Sequence, residues 1–337
     1  MRALVFDGPW QLRVVERPDP ALRSNDALLR VIATGICGSD IHGYTGETGR
    51  RSPGQVMGHE TVAEVLEDRT GAVAPGTLVT VNPFIGCGSC DACSRGAKQR
   101  CASRRVIGVD PSISSAFAER MCSPSDRLVP LPDGTPTRLG ALIEPLSVGY
   151  HAARRGQVVS DDAVLVIGAG PIGQAVALAC RRLGARDVVV AEINPHRQRL
   201  IERLGFMVVD PRSSDASAVQ TALGRLPTIA IDAVASTATL KSAITSVEEG
   251  GRIVMVGLAS PKVEIPAFDI TTAERSILGS FGYDDAVFEE TAGWLAGRED
   301  ELLQLIDHEV DLEQAPQAFE DLASGRSTAS KILVRFP

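Results

Sequence analysis

Hydrophobic and polar residues follow one arrangement before about residue 150 and another after it. In the first part the apolar runs are short, often alternate with polar positions, and are separated by Gly, Pro and Asp, which is typical of strands joined by turns. The predicted strands are Ala3–Phe6, Leu12–Glu16, Ala27–Ala33, Val62–Leu66 and Leu78–Asn82. Helical periodicity is scarce in this part, so the sequence predicts an irregular, mostly β domain.

After residue 150, strand-length apolar runs alternate with helix-length segments. The predicted strands are Val164–Ile167, Asp187–Ala191, Met207–Val209, Ile229–Ala233, Arg252–Val256 and Ser276–Gly279. The helices predicted between them are Pro171–Leu183, Pro195–Leu204, Asp215–Leu223 and Ala238–Val247. This alternation predicts an α/β domain with a doubly wound parallel sheet covered on both faces.

The C-terminal part of the chain predicts helices at Asp285–Leu305 and Leu312–Ala323 and a final strand at Lys331–Phe336. A chain of 337 residues exceeds the usual size of one hydrophobic core, which favours two domains. We expect residues 1–149 and 285–337 to form one domain, interrupted by a second domain of residues 150–284.

Composition and net charge limit the kinds of protein and partner that are expected. Apolar residues make up 44% and charged residues 23% of the chain, which are ordinary values for a globular protein, and the net charge is −8 with no basic block. These values argue against nucleic acid or an anionic membrane as a partner. The start of the chain lacks the apolar run of a signal peptide, and glycines punctuate the apolar stretch Ala163–Cys180, so we expect a cytoplasmic protein without a membrane span.

A glycine-rich turn follows the first strand of the predicted α/β domain. The turn reads Gly168-Ala169-Gly170-Pro171-Ile172-Gly173 and opens a predicted helix. In this pattern Gly168 allows the tight turn, Gly170 lets the backbone approach a pyrophosphate, and Gly173 allows close packing of helix and strand. The N–H groups of the helix N-terminus suit phosphate, so the segment predicts a dinucleotide site.

An acidic residue at the end of the next strand supports this prediction. Glu192 lies 19 residues after Gly173, where a carboxylate accepts hydrogen bonds from the adenosine ribose hydroxyls. Its charge repels a 2′-phosphate, so NAD is favoured over NADP. Arg197 is assigned equally to the adenosine part of the cofactor and to an exposed helix surface, and its presence leaves some use of NADP open.

Four of the seven cysteines fall in one short segment, at Cys87, Cys90, Cys93 and Cys101. Four thiolates in a compact loop suit tetrahedral Zn²⁺, and a closed shell of four leaves no open position, so this zinc is expected to be structural. Clustered cysteines in a chain of this kind favour metal over disulfides. Cys122 and Cys180 have no partner at ligand spacing and are interpreted as packing residues.

A second metal set is spread over separate turns. Cys37, His59, Glu60 and the more distant Glu144 are ligand types that suit Zn²⁺. Three protein ligands with water or substrate in the open position define a catalytic zinc. Such a Lewis acid lowers the pKa of an alcohol and complements a hydride acceptor, so the two predicted sites support each other.

Along nearly its whole length the chain resembles the zinc-dependent medium-chain dehydrogenases, closest to the sorbitol (polyol) and sugar-acid dehydrogenase branch. The segments that carry the resemblance are Gly35–His42, Gly58–Glu60, the four-cysteine loop, Ala141–Ala152, Gly168–Gly173 and Val256–Leu258. The resemblance implies a GroES-like catalytic domain and a Rossmann domain. It also implies that Cys37, His59 and Glu60 hold a catalytic zinc with a water, and that Glu144 binds that water or replaces a ligand.

The same resemblance implies further roles. Ser39 and His42 match a proton relay, in which Ser39 takes the substrate hydroxyl proton and passes it through the nicotinamide ribose toward His42. Glu60 belongs to both the metal set and the catalytic set. Val256 and Leu258 are expected to line the nicotinamide pocket, and relatives suggest a homodimer or homotetramer.

Two positions depart from the family pattern. Ala63 stands where the G-H-E-x-x-G motif ends in glycine, which adds strain only if its φ is positive. Gly282 stands where the sorbitol branch usually carries arginine, so a polar clamp for a polyol or carboxylate is missing. Arg50 and Arg51 are interpreted as part of a solvated loop, with substrate binding as the alternative.

The first hypothesis is an NAD-dependent zinc dehydrogenase that oxidises a secondary alcohol of a polyol, sugar acid or cyclitol. Within the same enzyme class, L-threonine or 2,3-butanediol dehydrogenase activity remains open. The second hypothesis is a non-enzymatic nucleotide-binding protein on the same fold, because fold alone does not establish chemistry. The complete ligand set, together with Ser39 and His42, favours the enzyme.

Overall fold

The computed structural model describes residues 1–113, 115–212 and 217–337. The chain forms two compact units, the first comprising Met1–Glu144 and Asp284–Pro337 and the second Pro145–Tyr283. The first boundary falls inside a helix, a few residues before the one expected at residue 150.

Strands predominate in the N-terminal part of the chain, and helices become frequent from about residue 143 onward. The strands are β1 (Arg2–Gly8), β2 (Gln11–Glu16), β3 (Asp26–Gly35), β4 (Gln55–Val56), β5 (Glu60–Asp68), β6 (Leu78–Val81), β7 (Phe84–Ile85), β8 (Arg105–Val106), β9 (Arg120–Pro124), β10 (Leu128–Pro130), β11 (Ala163–Ile167), β12 (Asp187–Ala191), β13 (Met207–Val209), β14 (Ile229–Asp232), β15 (Arg252–Met255), β16 (Ser276–Gly279), β17 (His308–Asp311) and β18 (Ile332–Arg335). The α-helices are α1 (Gly38–Tyr44), α2 (Asp91–Ser94), α3 (Ile143–Arg155), α4 (Pro171–Arg182), α5 (Pro195–Arg203), α6 (Ala218–Leu223), α7 (Thr237–Ser246), α8 (Ala267–Thr271), α9 (Asp285–Trp294), α10 (Glu299–Leu303) and α11 (Ala315–Ala323).

The first unit is built around β3, whose side chains alternate between buried and half-buried along most of its length. The main sheet has the order β10-β6-β5-β3-β18-β17, with β9 also paired to β3, and a smaller sheet has the order β2-β1-β4. Gly35 at the end of β3 is opposite both Glu60 of β5 and Leu333 of β18. The register therefore brings together, at one end of the sheet, three segments that are far apart in sequence.

The second unit contains a parallel sheet of order β13-β12-β11-β14-β15-β16, in agreement with the predicted doubly wound fold. All residues of β11 and β14 are buried, as expected for central strands covered by helices on both faces. The strand order reverses between β11 and β14. In open α/β sheets, the crevice outside the carboxyl ends of the strands at this reversal is the usual ligand site.

The structure differs from the sequence prediction in several elements. The predicted helix Asp285–Leu305 is two helices, α9 and α10, separated by Gly297 with φ +75°. Helices α1 and α3 and strand β17 were not predicted; Pro145 and Gly149 argue against a helix by propensity. The first residues of the predicted helix Asp215–Leu223 lie outside the described residues, and α6 covers Ala218–Leu223.

No helix within the described ranges is long and apolar enough to cross a membrane. The apolar stretch Ala163–Cys180 consists of β11, the glycine turn and most of α4. Ala63 lies inside β5 in extended backbone, paired with Val31 and Val79, so the missing family glycine causes no strain there.

Candidate metal and nucleotide sites

The first candidate site lies at the end of β3 and the start of β5, where Cys37 is the N-cap residue of α1. The ligand atoms of Cys37, His59 and Glu60 lie within 4.8 Å of one another. His59 and Glu60 are buried and Cys37 is half-buried. The pairing of Gly35 with Glu60 explains this convergence, because it fixes the turn that carries Cys37 beside the start of β5.

A buried aspartate connects the turn to the histidine. Asp40 is fully buried; its Oδ2 accepts a hydrogen bond from the Cys37 backbone N–H at 3.2 Å, and its Oδ1 lies 3.6 Å from Nδ1 of His59. Burial opposes ionisation of Asp40, but the charges of His59 and Arg51 keep its pKa below the usual value. Ser39 Oγ lies 3.4 Å from Nε2 of His59. A carboxylate behind a histidine is the common arrangement for orienting a metal ligand.

A buried lysine faces the carboxylates of this site. Lys331 lies just before β18, is 2% exposed, pairs with Oε2 of Glu60 and donates to the Ile36 carbonyl at 3.2 Å. Burial lowers the pKa of a lysine, but Glu60, Cys37 and Glu144 outweigh that effect and raise the pKa of Lys331. Glu144 is buried, yet it is outside the group whose ligand atoms lie within 4.8 Å of one another. No local motif marks Lys331, so sequence reasoning missed it.

The donor set fits Zn²⁺. A thiolate, an imidazole and a carboxylate are typical zinc ligands, and three of them leave one position open. Within the described residues, Oδ1 of Asp40 and Nδ1 of His59 are buried without a hydrogen-bond partner. Burial disfavours the charged form of His59, but Asp40 and Cys37 raise its pKa well above the usual value, so the site attracts positive charge.

His42 lies in the last turn of α1, outside this cluster. Its Nδ1 lies 2.6 Å from Oε2 of Glu47, and both side chains are largely exposed. The contact lowers the pKa of Glu47, first through the hydrogen bond and then through charge. Because an ionised carboxylate only accepts, this contact places the proton on Nδ1 and leaves Nε2 as the acceptor of neutral His42.

The second candidate metal site is the four-cysteine loop. Cys87, Cys90, Cys93 and Cys101 have their sulfur atoms within 4.8 Å of one another, and all are free thiols. Backbone and side-chain hydrogen bonds from Ser89 lower the pKa of Cys87 to about 6, which favours the thiolate. This donor set fits a structural zinc without an open position.

A charged cluster anchors this loop within the first unit. Asp285 at the start of α9 accepts from Lys98 Nζ at 2.5 Å, from Arg127 Nη1 at 2.7 Å and from Asn82 Nδ2 at 3.1 Å. Its backbone N–H donates to the Gly96 carbonyl at 3.0 Å. The loop is therefore held by the C-terminal segment of the chain as well as by its own thiols.

The glycine turn lies between β11 and α4, at the carboxyl end of a central strand. Gly168 has φ +89°, Gly170 is the N-cap of α4, and Pro171 occupies its first turn with Ile172. A Cβ on Gly173 would lie 1.8 Å from the Gly168 carbonyl oxygen, so no side chain fits there. The helix can approach the turn because of this glycine, and its N–H groups can bind a phosphate.

Glu192 follows β12 directly and is buried. Its carboxylate accepts from the backbone N–H groups of Ala169 at 2.6 Å and of Ile193 and Asn194 at 2.8 Å. The structure therefore fixes a negative charge beside the glycine turn. An Nη1 atom of Arg197 lies 3.9 Å from the position of a Cβ on Gly170, so this guanidinium faces the turn.

The two hydrophobic residues predicted for the nicotinamide follow β15. Val256 is buried, and Leu258 is 74% exposed. The N–H of Val256 donates to the Asp232 carbonyl at 3.0 Å, which places it next to the end of β14. Both residues thus lie at the carboxyl edge of the same sheet as the glycine turn.

Comparison with known proteins agrees with this description. Residues 23–133 match the family "alcohol dehydrogenase GroES-like domain", and residues 171–297 match "zinc-binding dehydrogenase". The L-galactonate-5-dehydrogenase of Escherichia coli strain K12 is 32% identical over 285 residues, 83% of each chain. The sorbitol dehydrogenase of Macaca fascicularis is 32% identical over 347 residues, 96% of this chain and 93% of its own.

A solved alcohol dehydrogenase of E. coli CFT073, in complex with NADH, is 27% identical and has a TM-score of 0.91, covering 100% of this chain and 99% of its own. The first family match covers Cys37, His59, Glu60 and the four-cysteine loop, and the second begins at Pro171, within the glycine turn. The chain belongs to the zinc-dependent medium-chain dehydrogenases, in the polyol and sugar-acid branch, and is an NAD(P)-dependent zinc alcohol dehydrogenase.

Proposed function

We propose that this protein oxidises a secondary alcohol of a polyol, sugar acid or cyclitol to a ketone with NAD as the hydride acceptor. The observation that carries the proposal is the convergence of Cys37, His59 and Glu60 within 4.8 Å, in a chain that also carries the glycine turn and Glu192. Zn²⁺ held by these ligands would act as a Lewis acid that makes the substrate hydroxyl more acidic.

Other residues around the ligand set are proposed to orient the ligands, balance their charge and transfer the substrate proton. Asp40 orients His59 from behind, and Lys331 balances the charge of Glu60. Ser39, 3.4 Å from His59, is placed beside the ligand set, where its hydroxyl can accept the substrate proton and pass it on. His42, with Nε2 free to accept, is the proposed terminal base of the relay. We propose that Glu144 contributes negative charge near the metal rather than a permanent ligand.

We propose that Glu47 orients His42 by accepting a hydrogen bond from its Nδ1, and this role is testable through His42. Replacing Glu47 by alanine is expected to lower kcat for alcohol oxidation by about three- to tenfold, a small part of the 10²–10⁴-fold that a general base typically contributes. Steady-state kinetics of E47A, H42Q and the double variant measure this, and E47A should have no further effect in the H42Q background. E67A removes another exposed, ion-paired glutamate of the first unit and is the control. Equal effects of E47A with and without His42 would contradict the assigned role.

Cofactor choice is assigned to Glu192. Replacing Glu192 by glutamine keeps one of the two acceptor oxygens that bind backbone N–H groups and removes the charge that opposes a 2′-phosphate. The preference for NAD over NADP is measured as the ratio of the kcat/KM values for the two cofactors. This ratio is expected to fall by about 10- to 100-fold, because the repulsion between like charges is lost; each tenfold corresponds to about 1.4 kcal/mol. E202Q, an exposed change on α5, should leave the ratio as it is. An unchanged ratio in E192Q would show that other residues set the preference.

The substrate class is tested by NADH formation with polyols, aldonates, cyclitols, L-threonine and 2,3-butanediol. The highest kcat/KM is expected for a polyhydroxylated secondary alcohol. Because Gly282 replaces the usual arginine of the sorbitol branch, sorbitol is not expected to be the best of them. A clear preference for L-threonine or 2,3-butanediol would overturn the proposed class and leave the chemistry in place.

We also infer, from the resemblance to the family, that the protein works in the cytoplasm as a homodimer or homotetramer. Strand β16 is an edge of the parallel sheet as the described residues form it, and an edge strand can pair with a second copy of the chain. Light scattering of the purified protein measures the oligomer directly.

A further inference from the structure

Arg51 lies in the loop between α1 and β4, which the sequence assigned to solvent or substrate. The solvated-loop interpretation is wrong for Arg51, because its side chain is only 3% exposed, whereas the neighbouring Arg50 is exposed. The guanidinium lies on α1, where Nη2 donates to the Ser39 carbonyl at 3.4 Å and lies 3.8 Å from Oδ1 of Asp40.

Helix α1 has a space shaped for this side chain. A Cβ at Gly43 would lie 2.8 Å from Nε and 2.9 Å from Cγ of Arg51, so any other residue at position 43 would force the arginine to move. Nε of Arg51, Oδ1 of Asp40 and Nδ1 of His59 are also buried and lack hydrogen-bond partners among the described residues. The three side chains form a row that ends at the proposed zinc ligand His59: Nη2 of Arg51 lies 3.8 Å from Oδ1 of Asp40, which lies 3.6 Å from Nδ1 of His59.

The charges around the ligand set indicate a function for this row of side chains. Two buried cations lie beside the ligand set: Arg51 is 3.8 Å from Oδ1 of Asp40, and Lys331 pairs with Glu60. Asp40 is fully buried, and its Oδ1 faces both His59 and Arg51. Since an unpaired buried charge is strongly unfavourable, this carboxylate requires a cation beside it, and Arg51 supplies one.

We propose that Arg51 is a positioning residue of the catalytic zinc, which holds Asp40 against His59 and thereby slows loss of the metal. This inference rests on the proposed function, because it assumes zinc at Cys37, His59 and Glu60. One nitrogen of the guanidinium, Nη2, faces both Oδ1 of Asp40 and the Ser39 carbonyl. Arg51 therefore connects the ligand histidine with the segment that carries the relay serine.

The test measures the release of each zinc from the holoenzyme into excess chelator. In R51A the zinc of the Cys37 site should dissociate about 10- to 100-fold faster than in the wild type, the usual effect of losing a group behind a metal ligand. The four-cysteine zinc of the same molecule should dissociate at its wild-type rate and serves as an internal control. R50A, which removes the exposed neighbour, should behave as the wild type.

Chemical rescue of R51A distinguishes the loss of the positive charge of Arg51 from the loss of its packing. Added guanidinium ion should slow zinc release from R51A, whereas urea, which is neutral and of similar shape, should not; R51K should be intermediate. G43A displaces the arginine without removing it and should also accelerate zinc release from the Cys37 site. If R51A does not fold, zinc release from G43A tests the inference in its place. With Co²⁺ in the Cys37 site, the thiolate charge-transfer band should change in R51A and not in R50A.

Three results would overturn the inference: wild-type release of both metals in R51A or, if that variant does not fold, in G43A; equal acceleration at both sites; or equal rescue by urea. A wild-type protein whose single zinc is lost in C87A, and is therefore held by the four-cysteine loop, would overturn the proposed function as well. The two failures are thus distinguished by the wild-type metal content.

Discussion

Replacing Cys37 by alanine is expected to lower kcat/KM for NAD-dependent alcohol oxidation by about 10³-fold or more. The thiolate is the soft ligand of the set and one of its negative charges, so its loss releases the metal. A Lewis acid contributes several kcal/mol to stabilising the transition state, and about 4 kcal/mol corresponds to about 10³-fold in rate. Metal analysis should show one zinc per chain in C37A, held by the four-cysteine loop, against two in the wild type.

Cys122 provides a matched control for this experiment. It is a half-buried free thiol on β9, outside both ligand groups within the described part of the chain. C122A should therefore bind two zinc ions and turn over at the wild-type rate. If C37A kept both metals and more than a tenth of the activity, Cys37 would not be a ligand of a catalytic zinc.

Replacing Lys331 by methionine is expected to destabilise the first unit by about 3–5 kcal/mol, the usual result of removing one partner of a buried ion pair. Lys331 and Glu60 are 2% and 1% exposed, so water cannot solvate the carboxylate that remains. The Ile36 carbonyl loses a donor in the same variant. Urea-induced unfolding with the metal of the Cys37 site removed by a chelator measures the change in the free energy of unfolding, so that zinc binding by Glu60 does not enter the comparison.

The double variant E60M/K331M tests whether the unpaired carboxylate of Glu60 causes the loss of stability in K331M. Replacing both members of a buried pair by apolar side chains is often neutral, so the double variant should recover most of the stability. It should not recover activity, because Glu60 is a proposed zinc ligand. Wild-type stability of K331M, or a double variant no more stable than K331M, would show that the ion pair does not carry this energy.

The contrast between Cys37 and Lys331 shows how far sequence reasoning reaches in this protein. Cys37, His59 and Glu60 stand in short segments whose residue types indicate metal chemistry, so the set is readable from spacing and resemblance. The four-cysteine loop and the glycine turn are local in the same way. The parallel sheet was also predictable, because its buried strands are continuous apolar runs.

Lys331 and Arg51 were not predictable by this route. Lys331 pairs with a residue 271 positions earlier, and only the register between β3, β5 and β18 brings them together. Arg51 looks like its neighbour Arg50 in sequence, and its burial depends on the space left at Gly43. Helix α3 was missed for a related reason, since tertiary packing overrides the low helix propensity of Pro145 and Gly149.

The most direct measurement of the proposed function is NADH formation from NAD and a panel of polyhydroxylated secondary alcohols, followed while the Cys37-site zinc is removed with a chelator and then restored. We expect NADH formation with at least one member of the panel. That activity should disappear as this zinc leaves while the four-cysteine zinc is retained, and it should return when Zn²⁺ is added. Undiminished NADH formation after the Cys37 site has lost its metal, or no NADH from any alcohol with both zinc sites filled, would contradict the proposed function.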